Sequence, residues 1–114
     1  MADLKKNKLE NPTIIWKRRL PLLTRLLQGK YIRKAKRLLD NYTCELASIH
    51  DKDSVSIIRI VKETIFRLND LNESGEFIDT EEREDICLFI NKTAAEAGLH
   101  IDQGEDITQE YRTW

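Results

Sequence analysis

The sequence predicts an all-α protein, a compact bundle of four main helices with a short additional helix near its C-terminal end. Apolar residues recur at spacings of three and four over most of the chain, which is the period of an amphipathic helix. Residues typical of helix starts and stops separate the periodic segments. A chain of 114 residues is long enough for one domain that buries roughly two-thirds of the surface of the unfolded chain. We expect a flexible N-terminus over 1–10 and a single helical domain over 11–114.

The first helix is predicted to begin at Asn11 and Pro12. Asparagine caps the free N–H groups of a helix start, and proline suits the first helical position. Pro21 lacks an N–H group and clashes with the preceding turn. The segment 12–28 is therefore either one kinked helix or two short ones, and Gly29 is expected to end it. Its leucines are predicted to face inward: Leu22, Leu23, Leu26 and Leu27.

The second helix is predicted from Lys30 to about His50 and is strongly amphipathic. Its apolar positions follow one another at spacings of three and four: Tyr31, Ala35, Leu38, Tyr42, Leu46 and Ile49. The opposite face carries four cations, which we call the basic stripe: Lys30, Arg33, Lys34 and Arg37. A break over 51–54 separates this helix from the next.

The remaining helices are predicted in the C-terminal half. The third, over about Ser54–Glu73, has the widest apolar arc and is expected to be central, because such an arc contacts several neighbours. The fourth begins at a cap formed by Asp79 or Thr80 and ends at Gly98. A short final helix is expected after Thr108, with its apolar face packed on the bundle as a lid: Ile107, Tyr111 and Trp114.

The charges of the chain are segregated, although its net charge is only −1. Residues 1–40 contain twelve Lys/Arg and three Asp/Glu, whereas residues 41–114 contain seven and seventeen. Either one half binds a polyanion or the two halves face each other in the fold. The sequence shows neither a signal peptide nor an apolar run that could span a membrane, so we expect a cytoplasmic protein without membrane contact.

Patterns that would fix a chemical activity are missing from the sequence. It has no glycine-rich phosphate loop and no nucleophile elbow, and the two histidines lie far from any cysteine. Cys44 and Cys87 are expected to be reduced, half-buried residues, with a redox role as the alternative. We therefore expect a protein that is not an enzyme and that has no catalytic residues, no metal site and no cofactor.

An acidic cluster lies at the start of the predicted fourth helix: Glu81, Glu82, Glu84 and Asp85. These carboxylates suit the positive end of the helix dipole, so they could serve the helix alone. Leu88 lies one turn further on and projects away from the apolar stripe of the helix. An apolar residue among like charges is a plausible contact for a partner, so we predict protein binding at these five residues.

The basic stripe supports an alternative function. Clustered Lys and Arg bind phosphate backbones without sequence choice because they release counterions. The isoelectric point of about 6.1 is lower than expected of a nucleic-acid-binding domain. A solvated basic face and a contact for an acidic protein are the other readings of these residues.

The C-terminal third resembles small all-helical bacterial proteins of the toxin-immunity type. The resemblance rests on FIDTEEREDICLFINKTAAEAGL and on EDITQEYRTW, and it does not extend to residues 1–70. Tyr111 stands where the family pattern has tryptophan. The resemblance implies a cytoplasmic protein that neutralises a cognate toxin by binding it. We therefore expect a protein partner, for instance a basic toxin, with nucleic-acid binding by the basic stripe as the alternative.

Overall fold

The structure, a computed structural model, describes residues 10–50 and 53–114. Within these ranges it contains four α-helices and no strand, which confirms the all-α prediction. The helices are α1 (Pro12–Arg19), α2 (Leu22–Ser48), α3 (Ser54–Gly75) and α4 (Thr80–Glu96). Except for Glu10, the predicted flexible N-terminus lies outside the described residues, as do the first two residues of the predicted break over 51–54.

The long helices α2 and α3 pack against each other along their length, and α1 packs on both α2 and α4. The side chain of Gln28, near the start of α2, bonds the carbonyl of Glu76 after the end of α3, so these two helices run antiparallel. All four helices contribute to one core, and its fully buried large side chains are Trp16, Leu39, Tyr42, Ile57, Ile60, Ile65, Leu68, Ile86 and Ile90. Four of these nine side chains lie on α3, more than on any other described helix.

The start of α1 and its end follow from the sequence as predicted. The side-chain oxygen of Asn11 accepts a hydrogen bond from the backbone N–H of Thr13, and Pro12 occupies the first helical position. At the other end, Leu20 and Pro21 adopt extended backbone conformations. The chain therefore divides into two helices at Pro21, because proline cannot continue the hydrogen-bond pattern of the preceding turn.

The prediction that Gly29 ends a helix is wrong, because α2 runs through it without a break. Glycine in a helix interior is less favourable than alanine by only about 0.5–1 kcal/mol. The residues around Gly29 are good helix formers, and proline does not follow it. Packing of the rest of the helix outweighs this small penalty.

The continuity of α2 reverses the predicted orientation of its first leucines. Successive residues of a helix are rotated by about 100°, so the residues buried along one part of a helix determine which residues face solvent along the rest. We call this orientation the rotational phase of the helix. Burial of Ile32, Leu39 and Leu46 fixes that phase. The leucines then point to solvent, with exposed fractions of 64 % for Leu22, 67 % for Leu23, 72 % for Leu26 and 71 % for Leu27. The inward prediction was wrong because it assumed a separate helix ending at Gly29.

The junction after α3 places a glycine against an aromatic ring. A Cβ atom on Gly75 would lie 2.5 Å from Cγ of Tyr31, so only glycine fits there. The ring of Tyr31 is stacked on that of Phe77, with 6.3 Å between centroids. The left-handed residue that follows the helix is Glu76, with φ of 45°. Gly75 is thus required for close packing, while the left-handed position is taken by a glutamate.

Residues 107–111 form a single turn, so the predicted C-terminal helix is not present. Asp106 caps this turn by accepting from the N–H of Thr108. Asn69 of α3 then accepts from the N–H of Thr113 and donates to the carbonyl of Tyr111. These bonds divert the backbone from a helical path. The apolar residues of the tail nevertheless pack against the core as predicted: Ile107, Tyr111 and Trp114.

Two glycine substitutions are expected to change stability in opposite directions. Gly29→Ala should raise the free energy of unfolding by about 0.5–1 kcal/mol, because only the mobile end of Arg33 lies near the added methyl group. Gly75→Ala should lower it by about 1–3 kcal/mol through overpacking against Tyr31. Urea denaturation measures both values. Equal effects at the two sites would contradict this account of α2 and of the α3 junction.

Candidate functional site

Three carboxylates of the acidic cluster bind Arg19, a cation of the N-terminal half. Its Nε lies 3.0 Å from a carboxylate oxygen of Glu81, its Nη2 lies 3.0 Å from Glu82, and its Nη1 lies 3.1 Å from Asp85. Burial disfavours the charge of Arg19, but the hydrogen bonds to Glu82 and Asp85 outweigh it and raise the pKa of the guanidinium. The basic and acidic halves of the sequence therefore meet here, between α1 and α4.

Two residues of the predicted partner site have structural roles. Glu82 is 6 % exposed, and besides Arg19 it accepts from the backbone N–H of Asp79 at the start of α4. Asp85 accepts from the indole N–H of the buried Trp16 at 2.9 Å. Carboxylates with these bonds hold α1 against α4, and Glu82 in particular offers almost no surface to a partner.

The other three residues of that site are exposed. Glu81 and Glu84 face solvent, although Glu81 also binds Arg19, and Leu88 is 55 % exposed as the sequence predicted. The structure thus leaves a narrow acidic edge of α4 around Leu88. Partner binding at this edge stays a prediction.

The basic stripe lies in solvent, as predicted. Its four cations are exposed, and within the described residues none of them lies within 4.0 Å of a carboxylate oxygen. Lys30 is placed 5.1 Å from the ring centroid of Tyr31. Over residues 10–50 and 53–114 these cations have no carboxylate partner, so they are open to an anionic ligand.

Arg67 of α3 joins two cations of the stripe at a groove between α2 and α3. The groove has a volume of about 550 Å³. It is lined by Lys34, Arg37, Leu38, Asn41, Arg67, Asp70, Leu71 and Ser74. The sequence did not connect Arg67 with the stripe, because only the antiparallel packing of α2 and α3 brings them together.

The sequence did not reveal an exposed apolar surface at the start of α2, which we call the leucine face: Leu22, Leu23, Leu26 and Leu27. Each of these side chains is about two-thirds exposed or more. Arg25 lies within the same stretch, Lys17 and Arg18 precede it, and Lys30 follows it; all four cations are exposed. Scattered exposed leucines are ordinary, but a contiguous apolar patch rimmed by charge marks an interaction site.

The cysteines differ in their surroundings. Both are unpaired thiols. Cys44 is exposed, which corrects the prediction that it is half-buried, whereas Cys87 is half-buried as predicted. Burial raises the pKa of the Cys87 thiol, and its Sγ lies 3.2 Å from Oγ1 of Thr108. In the part of the chain that the structure describes, no group of three His, Cys, Asp or Glu side chains could hold a metal ion.

Comparison of the chain with protein-family models, with curated proteins and with solved structures gave no match. Over residues 10–50 and 53–114, none of the helices is both long and apolar enough to cross a membrane.

Removing the charge of Arg19 is expected to destabilise the fold. Arg19→Met leaves Glu82 buried without its cationic partner, so we expect a loss of about 1–3 kcal/mol in the free energy of unfolding. The loss is smaller than for a fully buried pair because Arg19 keeps 32 % exposure.

The matched control is Arg59→Met on α3. Arg59 pairs with Glu63 on the same helix, and both side chains are about half exposed. Such a pair contributes at most about 0.5 kcal/mol. Chemical denaturation measures the free energy of unfolding of both variants, and equal losses would show that the Arg19 cluster is an ordinary surface contact.

Proposed function

We propose that the protein is a non-enzymatic binding protein whose partner is another protein, and that the leucine face of α2 makes the central contact. The single observation that carries this proposal is the exposure of four adjacent leucines at the start of a helix whose phase is fixed elsewhere. Interface cores are apolar and depleted in charge, and their rims are polar. The leucine face with its surrounding cations has this composition.

The charges around the leucine face indicate what kind of protein fits it. A second copy of this chain, packed symmetrically on the same face, would set the cations around that face, such as Arg25 and Lys30, against the same set of cations on the other copy. Such like-charge contacts oppose association. A helix or loop that carries apolar residues with carboxylates beside them would instead complement both the leucines and their rim. We therefore propose an acidic, apolar segment of a different protein as the occupant.

Site-directed crosslinking tests the proposed contact. A photoreactive residue in place of Leu26 should trap one protein in native cells, while the same residue in place of Val55 should not. Val55 is the matched control because it is 78 % exposed and lies at the start of α3. Identical products from both positions would contradict a specific contact at the leucine face.

The affinity of the trapped partner is then compared between the parent protein and a variant of the leucine face. Leu23→Ser with Leu27→Ser should weaken binding at least about 10-fold, since central apolar residues dominate interface energetics. The melting temperature should not fall, because neither leucine is in the core. Full binding by this variant would remove the leucine face from the interface.

We propose, as a second and separate candidate role, an immunity-like protein that neutralises a basic toxin through the acidic edge of α4. The observation that favours it is Leu88, which is exposed beside Glu84 one turn after the acidic cluster. The resemblance of the C-terminal third to toxin-immunity proteins supports the same role. Since Glu82 and Asp85 bind Arg19, the contact is proposed for Glu81, Glu84 and Leu88.

Charge reversal tests this role on a basic partner trapped from native cells. Glu84→Lys should slow association several-fold at low ionic strength and much less at high salt, because rim charges act mainly on encounter. Glu73→Lys, an exposed glutamate of α3, is the matched control. The neutraliser role also requires that the purified chain suppress the toxicity of that partner. Equal kinetics for the two variants would remove the acidic edge from the contact.

A further inference from the structure

The groove between α2 and α3 has basic walls and an apolar floor. Lys34 and Arg37 line it from α2, and Arg67 lines it from α3. The floor consists of the half-buried side chains of Leu38 and Leu71. The groove thus presents cations from two helices toward the same space.

The cations of these walls have no ion-pair partner among the residues that the structure describes. Asp70 also lines the groove, yet within the described ranges no carboxylate oxygen lies within 4.0 Å of the nitrogen atoms of Lys34, Arg37 or Arg67. Three cations against one carboxylate leave a local excess of positive charge. Asn41 adds an amide group to the lining. An anionic ligand would satisfy these groups.

We propose that this groove binds the phosphate backbone of a nucleic acid, without choice of sequence. Protein partners are generally anchored by apolar side chains at the centre of an interface, and here the apolar groups are half-buried beneath the cations. Cations that stand over such a recessed apolar floor suit a phosphate backbone, which is bound chiefly by Lys and Arg. Two of the three cations are arginines, whose forked N–H groups match phosphate oxygens.

The basic stripe continues the groove along α2. Lys30 precedes Lys34 by one turn, so the cations from Lys30 to Arg37 cover about 10 Å of the helix axis. A small anion would use only part of this length, whereas a nucleic acid strand presents a phosphate at each step. The leucine face that carries the proposed protein contact lies on earlier turns of α2, and Lys30 stands at the border between the two surfaces.

The test uses a fluorescently labelled single strand of about 20 nucleotides, longer than the ~4–16 nucleotides that single-strand binding modules cover. Fluorescence anisotropy should show binding at low ionic strength that weakens steeply as salt is added. Arg67→Gln, and Lys34→Gln with Arg37→Gln, should weaken binding about two- to five-fold per cation. Each lost contact should also reduce the salt slope by about 0.7.

Asp70→Asn should change the affinity for the strand in the opposite direction. It removes the one carboxylate of the groove and should strengthen binding about two-fold or more, in the range of exposed charge interactions. The matched control is Lys92→Gln, which changes the net charge of the chain as Arg67→Gln does but lies exposed on α4. Leu23→Ser with Leu27→Ser should leave binding unchanged, so failure of this inference and failure of the proposed function are distinguishable.

Three results would overturn the inference. One is the absence of binding at low ionic strength by a chain that circular dichroism shows to be folded. Another is equal weakening by Lys92→Gln and Arg67→Gln, which would indicate an effect of net charge alone. The last is displacement of the strand by polyglutamate as effectively as by unlabelled nucleic acid, which would indicate an acidic protein as the occupant of the groove.

Discussion

The rotational phase of α2 is the constraint on which the surfaces of this protein depend. Ile32, Leu39 and Leu46 are buried against the rest of the bundle, and they fix which side of the helix faces solvent. Because α2 continues through Gly29, this choice extends to its first turns and places the leucine face outside. The same choice places the basic stripe outside. One buried row thus produces two adjacent exposed surfaces, one apolar and one basic.

Arg19 and Trp16 join the N-terminal helix to α4. The indole of Trp16 is completely buried, and its N–H is satisfied by Asp85, which also binds Arg19. Without that carboxylate the buried indole N–H would lack a partner, and unsatisfied buried polar groups are unfavourable. The acidic cluster is therefore part of the packing between α1 and α4. Only its outer members, together with Leu88, remain to meet another molecule.

Much of the fold could be predicted from the sequence because it follows from local patterns. The cap at Asn11, the division at Pro21 and the broad apolar face of α3 depend on neighbouring residues, and the structure has all three. Whether a helix ends at Gly29 could not be predicted from its neighbours, since the answer depends on packing farther along α2. The final turn also escaped prediction, because Asn69 is distant in sequence from the tail backbone that it binds.

The candidate surfaces were predictable only in part, for the same physical reason. Exposure of the basic stripe and of Leu88 follows from the phase of their own helices. The role of Glu82 and the position of Arg67 depend on contacts between helices, which a linear pattern does not show. The groove forms because the antiparallel packing of α2 and α3 brings Lys34 and Arg67 to the same surface. A sequence change that shifted the packing of α2 on α3 would therefore separate its basic walls even if every cation were kept.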